Sequence, residues 1–351
     1  MNIHLMTPLG VTGYGYVGLN ILQTLSENHD IGLTPIGHPQ PDLPQQVNII
    51  QNAMESTHLI PYDSPTLKIW HQFDLLTRPG NGKYFALPFF EVDTFNDKEK
   101  IHLNFVDEII VSCSWAKKVI QNAGIDKPIH VVPIGVDGVT FSPSSVQSTD
   151  DKYVFLSIGK WEKRKAHDTI IHCFNQAFTQ SDNVELWLAT NNPFLTPDEE
   201  KFWLNIVDQS PLRDKIKVFP RLPNQQAVAE LIGYSHCGVY ISRGEGWNME
   251  LLESMSMGKP VIASNYAAHT QYCTQDNSFL VDMPETELAV DNKFFFGQSS
   301  WGKIGQDQID QTITHMRHCF DNKITTNEPG IETAKNLSWK NCCHQLIGCM
   351  S

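Results

Sequence analysis

The sequence predicts an α/β protein built as two doubly wound domains with parallel sheets, and three observations carry that prediction. Short β-branched or aromatic runs alternate with amphipathic stretches along most of the chain, the pattern of strand–helix–strand units. The chain has 351 residues, enough for two domains of ordinary size with a substantial core. The alternation pauses once, in the polar stretch 142–151, and then starts afresh. The expected division is an N-terminal domain over 1–143 and a C-terminal domain over 150–330, with a final amphipathic helix over 336–351.

In the first half, 3–6 reads as a strand, 17–25 as an amphipathic helix, and 31–36 and 67–70 as further strands. The Pro-rich polar segment 38–43 between them is a surface loop. Strand 84–90, helix 98–106, strand 108–111, helix 114–122 (ended by Gly124) and strand 129–132 follow. The second half repeats the scheme with strands 154–158, 184–188 and 216–219 and helices 166–178, 199–208 and 225–234. Phe294, Phe295, Phe296 and Trp301 form an aromatic cluster whose default reading is packing.

Composition narrows the function. With 26 basic and 39 acidic residues the net charge is −13, which disfavours nucleic acid as a partner without excluding it and weakens the case for docking on anionic lipid. No run of 18 apolar residues is present, and the opening Met1-Asn-Ile-His-Leu-Met reads as a strand rather than a secretory leader. The eight cysteines are scattered without a CxxC pair, so reduced thiols and a cytoplasmic location are expected. Cys319, Cys342 and Cys343, with His315, His318 and His344 nearby, have the wrong spacings for a zinc module, and no metal site is expected. Gly13-Tyr-Gly-Tyr-Val-Gly18 matches GxGxxG, but residues 7–12 separate it from the first strand and no acidic residue ends the second. A nicotinamide or flavin site is therefore not expected.

The most informative stretch is 243–264, Arg-Gly-Glu-Gly-Trp-Asn-Met-Glu-Leu-Leu-Glu-Ser-Met-Ser-Met-Gly-Lys-Pro-Val-Ile-Ala-Ser. It reads as a glycine turn after a strand (239–241), a short helix capped by Asn248 and ended by Gly258, and a strand opened by Pro260. A helix starting near Met249 leaves its first amides unpaired, with the positive end of its dipole facing the turn, and that is a phosphate seat. Glu245 lies just before the seat, and Glu253 about two turns further on. Two carboxylates flanking a phosphate seat suit a ligand with hydroxyls on both sides of a diphosphate, as in a nucleotide-sugar.

Glu245 and Glu253, with seven residues between them and set among Gly-Glu-Gly-Trp, Leu-Leu-Glu and Gly-Lys-Pro-Val-Ile, resemble the EX7E signature of family 4 retaining glycosyltransferases. The resemblance implies a GT-B fold, two Rossmann-like domains facing across a cleft with the last helix crossing back to the first. It also implies sugar transfer from a nucleoside diphosphate-sugar, UDP being expected, to a hydroxyl acceptor with retention and without a metal or other cofactor. In Gly159-Lys-Trp-Glu-Lys-Arg-Lys165, Lys160 stands where the family has Arg, and Lys165 is its partner on the donor diphosphate. Glu245 would hold sugar hydroxyls and Glu253 ribose hydroxyls, with Gly246, Trp247, Asn248 and Met249 supplying the seat between them. Gly13 and Gly15 match the glycine-rich turn under the diphosphate, Arg221 the region that seats the base, and His71 a histidine near the reacting sugar. The family usually has Gly at 248 and often Pro at 250. Asn248 tolerates left-handed backbone, and Glu250 adds negative charge beside a phosphate seat. A GT-B nucleotide-sugar epimerase and a catalytically silent nucleotide-sugar binding protein are the alternatives. The acceptor is open, a glycan or a modified nucleic-acid base.

Overall fold

The computed structural model describes residues 1–10, 12–41, 43–143 and 151–351. They divide into two compact units, Met1–Gly135 with Leu337–Ser351, and Val136–Asn336. Of the polar stretch 142–151 expected to join two domains, residues 144–150 lie outside the described residues.

In the first unit β1 (Asn2–Thr7), β2 (Asp30–Pro35), β3 (Thr66–Lys68), β4 (Tyr84–Ala86), β5 (Glu108–Val111) and β6 (Ile129–Val131) form one parallel sheet, in the order β2-β1-β3-β4-β5-β6. Helices α1 (Gly13–Leu25), α2 (Pro44–Glu55), α3 (Asp97–Phe105) and α4 (Ser114–Asn122) accompany it. Strand β4 is shorter than the apolar run 84–90 suggested, because Pro88 has no N–H with which to continue a ladder. Helix α1 starts four residues before the expected 17, with Tyr16 N–H donating to Thr12 C=O at 2.8 Å. Helix α2 escapes a reading by periodicity, since only Ile50 and Ala53 of its twelve residues are buried.

The second unit repeats the plan with β7 (Tyr153–Ile158), β8 (Val184–Ala189), β9 (Ile216–Phe219), β10 (Cys237–Tyr240), β11 (Val261–Asn265) and β12 (Phe279–Asp282), in the parallel order β12-β11-β10-β7-β8-β9. Helices α5 (His167–Ala177), α6 (Pro197–Asp208), α7 (Gln225–Tyr234), α8 (Met249–Ser256), α9 (Gln306–Asp321) and α10 (Glu328–Asn336) cover it. Phe155, Leu186, Val239 and Ile262 from the strands pack with Ile170, Phe174 and Trp203 from the helices. The strand order reverses between β7 and β10, and ligands of open α/β sheets bind at the carboxyl ends of strands where the order reverses. An antiparallel hairpin of β13 (Thr286–Val290) and β14 (Phe296–Gly302), which the sequence did not announce, follows β12.

The last helix, α11 (Trp339–Met350), belongs to the first unit, where it packs on α1. Ser338 caps it by accepting the Asn341 N–H at 3.2 Å, and the Trp339 ring meets Tyr16 edge-on at 6.2 Å. Cys342, Cys343 and Leu346 are buried, a fully buried leucine contributing on the order of 1.5–3 kcal/mol. Cys319 lies in the core of the second unit, so the cysteines of the sequence cluster belong to different units.

Gly135 lies so close to α11 that a Cβ there would sit 2.4 Å from Trp339 N and 2.5 Å from its Cα. Backbone cannot yield as a flexible side chain can. Gly135→Ala is therefore expected to destabilise the protein by about 1–3 kcal/mol, read as a lower urea midpoint at unchanged m-value.

Candidate functional site

Two loops leave adjacent strand ends at the reversal point of the second sheet. The one after β7 turns at Gly159, where φ is +146° and a Cβ would meet Lys165 Cε at 3.1 Å. A 3₁₀ turn, Lys163–Lys165, follows and ends on Ala166 in the left-handed region, φ 57° and ψ 32°. That tight turn sorts neighbouring cations: Lys163 stays in water while Arg164 and Lys165 are buried. The loop after β10 runs through 241–248 and ends on Asn248, left-handed at φ 81°, whose side chain accepts the Leu251 N–H at 3.2 Å. The N-cap and the left-handed Asn are both as the residues suggested. Neither Gly244 nor Gly246 has positive φ.

Ionic contacts stitch the loops together. Arg164 Nη1 donates to Glu245 Oε2 at 2.8 Å and to Gly244 C=O at 2.7 Å, and its Nη2 donates to Glu162 Oε2 at 2.9 Å. Lys165 Nζ pairs with Glu245 Oε1 at 2.8 Å, and Lys160 Nζ with Glu162 Oε1 at 2.9 Å. Arg243 N–H donates to Arg164 C=O at 2.8 Å. Within this ion-paired set three cations (Lys160, Arg164, Lys165) face two carboxylates (Glu162, Glu245), which leaves one positive charge in excess, with the Glu250 carboxylate acting on Lys165 from α8. Burial alone would raise the Glu245 carboxyl, but Arg164 and Lys165 pull it well below the usual carboxylate range. Burial would likewise lower Lys165, yet Glu245 and then Glu250 raise it, so the ammonium stays charged.

Glu253, one turn into α8, is the opposite case. It is 2% exposed, and burial, then the charges of Glu250 and Asp137, push its carboxyl well above the usual range. That shift favours the protonated acid, which both donates and accepts hydrogen bonds. The amides of Met249 and Glu250 occupy the first positions of α8 and have no intrahelical acceptor.

A second layer fixes the turn. Asn248 Nδ2 lies 2.9 Å from His269 Nε2, and His269 Nδ1 lies 3.1 Å from Ser264 C=O. Those contacts assign the Nδ1–H tautomer, and burial lowers the ring to about 4, so it is neutral. Tyr272 Oη donates to the carbonyls of Trp247 and Asn248, and the Trp247 and Tyr272 rings lie 4.8 Å apart. Trp247 Nε1 is buried without a hydrogen-bond partner among the described residues.

Of the residues singled out in the sequence, Glu245, Lys165, Gly246, Trp247, Asn248, Met249 and Glu253 come together here, with Lys160 joined through Glu162 rather than directly. Arg221 is exposed on the loop between β9 and α7. Gly13, Gly15 and His71 belong to the first unit. Gly13 is exposed with open space where a Cβ would lie. Gly15 is different: it is buried on α1, and a Cβ would meet Gly10 N at 2.7 Å, so its missing side chain serves packing. His71 stacks on Phe73 at 4.8 Å and meets Tyr14 edge-on at 4.6 Å. Arg164, Glu162 and His269 are the residues sequence reasoning missed. Arg164 was visible only as one more cation in 160–165, and nothing in the letters says which way a 3₁₀ turn points each.

With this geometry in hand, comparison is informative. The model of the family described as Glycosyl transferases group 1 matches residues 140–292. No curated protein matches the sequence. Among solved structures, the chain is similar to a sucrose-phosphate synthase from Thermosynechococcus elongatus, with TM-score 0.73 and 14% identity over 99% of this chain and 98% of that one. It is similar to Anabaena HepE in complex with UDP-glucose, with TM-score 0.70 and 12% identity over 100% and 99%. Staphylococcus aureus TarM is more distant, with TM-score 0.61 and 14% identity over 85% of this chain and 57% of that one. At such identities the likeness concerns architecture, and the architecture is GT-B, two parallel-sheet Rossmann-like units.

Removing Arg164 leaves Glu162 and Glu245 buried and short of a partner. Arg164→Met is expected to cost about 3–5 kcal/mol of unfolding free energy, measured by denaturant titration. The buried histidines set an acid limit. His167, lowered by burial to about 3, and His269, at about 4, both lie below the ordinary 6.5. As pH falls below 6.5 the unfolded chain takes up protons that the folded chain refuses, so stability is lost at up to ~1.4 kcal/mol per pH unit per histidine. Between pH 6.5 and 5, His269→Gln is expected to flatten that slope by about half of the two-histidine total.

Proposed function

We propose that this protein transfers a glycosyl group from a nucleoside diphosphate-sugar to a hydroxyl acceptor, as a family 4 enzyme with the EX7E arrangement. The observation that carries the reading is the excess positive charge of the Lys160–Glu162–Arg164–Glu245–Lys165 cluster, set beside the open N-terminus of α8 where the strand order reverses. A diphosphate seated there would meet Lys165, Lys160 and the Met249 and Glu250 amides. The Glu253 carboxyl, pushed up by burial and by Glu250 toward a form that can donate as well as accept, suits the paired hydroxyls of a ribose. UDP is the nucleotide we favour, because HepE has been solved with UDP-glucose and with UDP and glucose, and the pneumococcal O-GlcNAc transferase GtfA with UDP and GlcNAc.

The chemistry follows from the charges. Bond breaking at the anomeric carbon delivers negative charge to the leaving diphosphate, and preorganised cations and amides stabilise that charge without reorganising. Glu245 has each oxygen engaged by one cation, which leaves lone pairs for sugar hydroxyls while it keeps Arg164 and Lys165 in place. In this reading the acceptor attacks from the face the diphosphate leaves. The departing phosphate oxygen takes the acceptor proton, and configuration is retained. His71 would assist at the reacting sugar. Glu250, in the first turn of α8, places a carboxylate near the seat and raises Lys165, so it opposes an incoming phosphate while steadying the lysine.

Titration with UDP, followed by NMR of the anomeric proton in the product formed from a UDP-sugar, tests the reading. UDP is expected to bind, Glu253→Ala to weaken it roughly tenfold, as the loss of about 1.4 kcal/mol of hydroxyl contacts implies, and the product to keep the donor's anomeric configuration. Unchanged UDP affinity in Lys165→Ala, or an inverted product, would contradict it.

A further inference from the structure

We propose that the β13–β14 hairpin is a working part of the donor seat, with Phe294 at its tip, together with Phe194, acting as a positioning residue for Lys160. This rests on the reading of the seat given above. Lys160 is the least constrained of the three cations: its side chain is 40% exposed and its one ionic partner, Glu162, is shared with Arg164. A lysine so placed has a flexible four-carbon stem and loses rotamer freedom when held in one geometry. Two aromatic rings limit that freedom in advance. Lys160 Nζ lies 5.2 Å from the centroid of Phe194 and 5.9 Å from that of Phe294, and the rings stand nearly perpendicular at 6.2 Å. Both distances are within the reach of cation–π attraction.

Aromatic rings half in water at a hairpin tip are often incidental. Here the tip is fixed far more firmly than an incidental one. Asp291 Oδ1 accepts the N–H groups of Lys293, Phe294 and Phe295 at 2.8–2.9 Å, and Asn292 takes the left-handed backbone, φ 61°, that the turn needs. Lys293 Nζ reaches across to both oxygens of Glu199 on α6, at 2.7 and 2.9 Å. The base of the hairpin grips the signature loop itself. Glu287 pairs with Arg243 at 2.5 Å, Trp301 Nε1 donates to Glu287 at 3.3 Å, and Gly302 N–H donates to Arg243 C=O at 2.6 Å. Arg243 is the residue whose N–H meets Arg164 C=O. One hairpin therefore touches the cation cluster at two points, through its base at Arg243 and through its tip at Lys160. Phe194 and Phe294 remain 56% and 46% exposed, a cost in apolar surface that the core does not require. The ligand that this arrangement serves is an anion, the diphosphate of the donor.

A double-mutant cycle on the full chain, with UDP as probe and calorimetry as readout, tests the proposal. Phe294→Ala is expected to weaken UDP roughly two- to fivefold, the loss of an exposed cation–π contact, while Phe294→Tyr stays near the unaltered affinity. In a Lys160→Gln background the same Phe294→Ala change is expected to have no further effect. Melting midpoints within a degree or two of the unaltered chain show that the fold is intact. Weakening by Phe294→Ala that is equal with and without Lys160, or no weakening at all, overturns the proposal and leaves the donor seat standing. Failure of the unaltered chain to bind UDP overturns the seat and the proposal with it.

Discussion

The Arg164–Glu245 pair is the constraint on which the second unit's chemistry rests. One guanidinium spans two loops from neighbouring strands, holding a carboxylate and a carbonyl of the β10 loop and a carboxylate of its own. Buried ions are costly unless their geometry and hydrogen bonding are good, and a planar fork suits several acceptors at once. What the pair achieves is register. The β7 loop cannot shift against the β10 loop without exposing a carboxylate to an apolar surround, so Lys165 and the start of α8 keep a fixed relation before any ligand arrives. Preorganisation of this kind lets a site meet developing charge without first rearranging.

The cluster also shows how a loop and the helix it opens can hold carboxyls shifted in opposite directions. Glu245 lies among cations, which hold its carboxyl down, whereas Glu253 lies near the carboxylates of Glu250 and Asp137, which with burial push its carboxyl up. The difference comes from neighbours, since both are buried. His269 and Tyr272 complete the arrangement by gripping the left-handed Asn248 from behind, so the sharpest bend in the site is also among the best supported.

Much of this was legible in the letters. The alternation of apolar runs foretold two parallel-sheet units, and 243–264 showed its strand, turn, cap, helix and strand because each has a local chemical signal: glycines in the turn, Asn248 at the cap, Gly258 at the stop, Pro260 before β11. Features that depend on contacts distant in sequence were not legible. The inward face of Arg164 is decided by a 3₁₀ turn and by Glu245 eighty-one residues away. His269 reads as an ordinary loop histidine until Asn248 is placed beside it. The β13–β14 hairpin hid because its strands carry exposed Leu288 and Phe296 and no clean alternation. Nor could GxGxxG announce that Gly15 packs against Gly10, where a Cβ would lie 2.7 Å from its N.

The placement of α11 has a consequence for biosynthesis. The first unit is discontinuous, interrupted by the whole of Val136–Asn336, and its closing helix is translated only after the second unit. A nascent N-terminal unit must wait with the α1 groove and Gly135 uncovered, while the contiguous second unit can complete itself first. Closing so long a loop costs little extra entropy once the intervening domain has compacted, because the cost grows only with the logarithm of length. Vectorial synthesis thus favours an order of assembly opposite to the order of translation, with the surface beneath Trp339 the part most in need of protection in the interval.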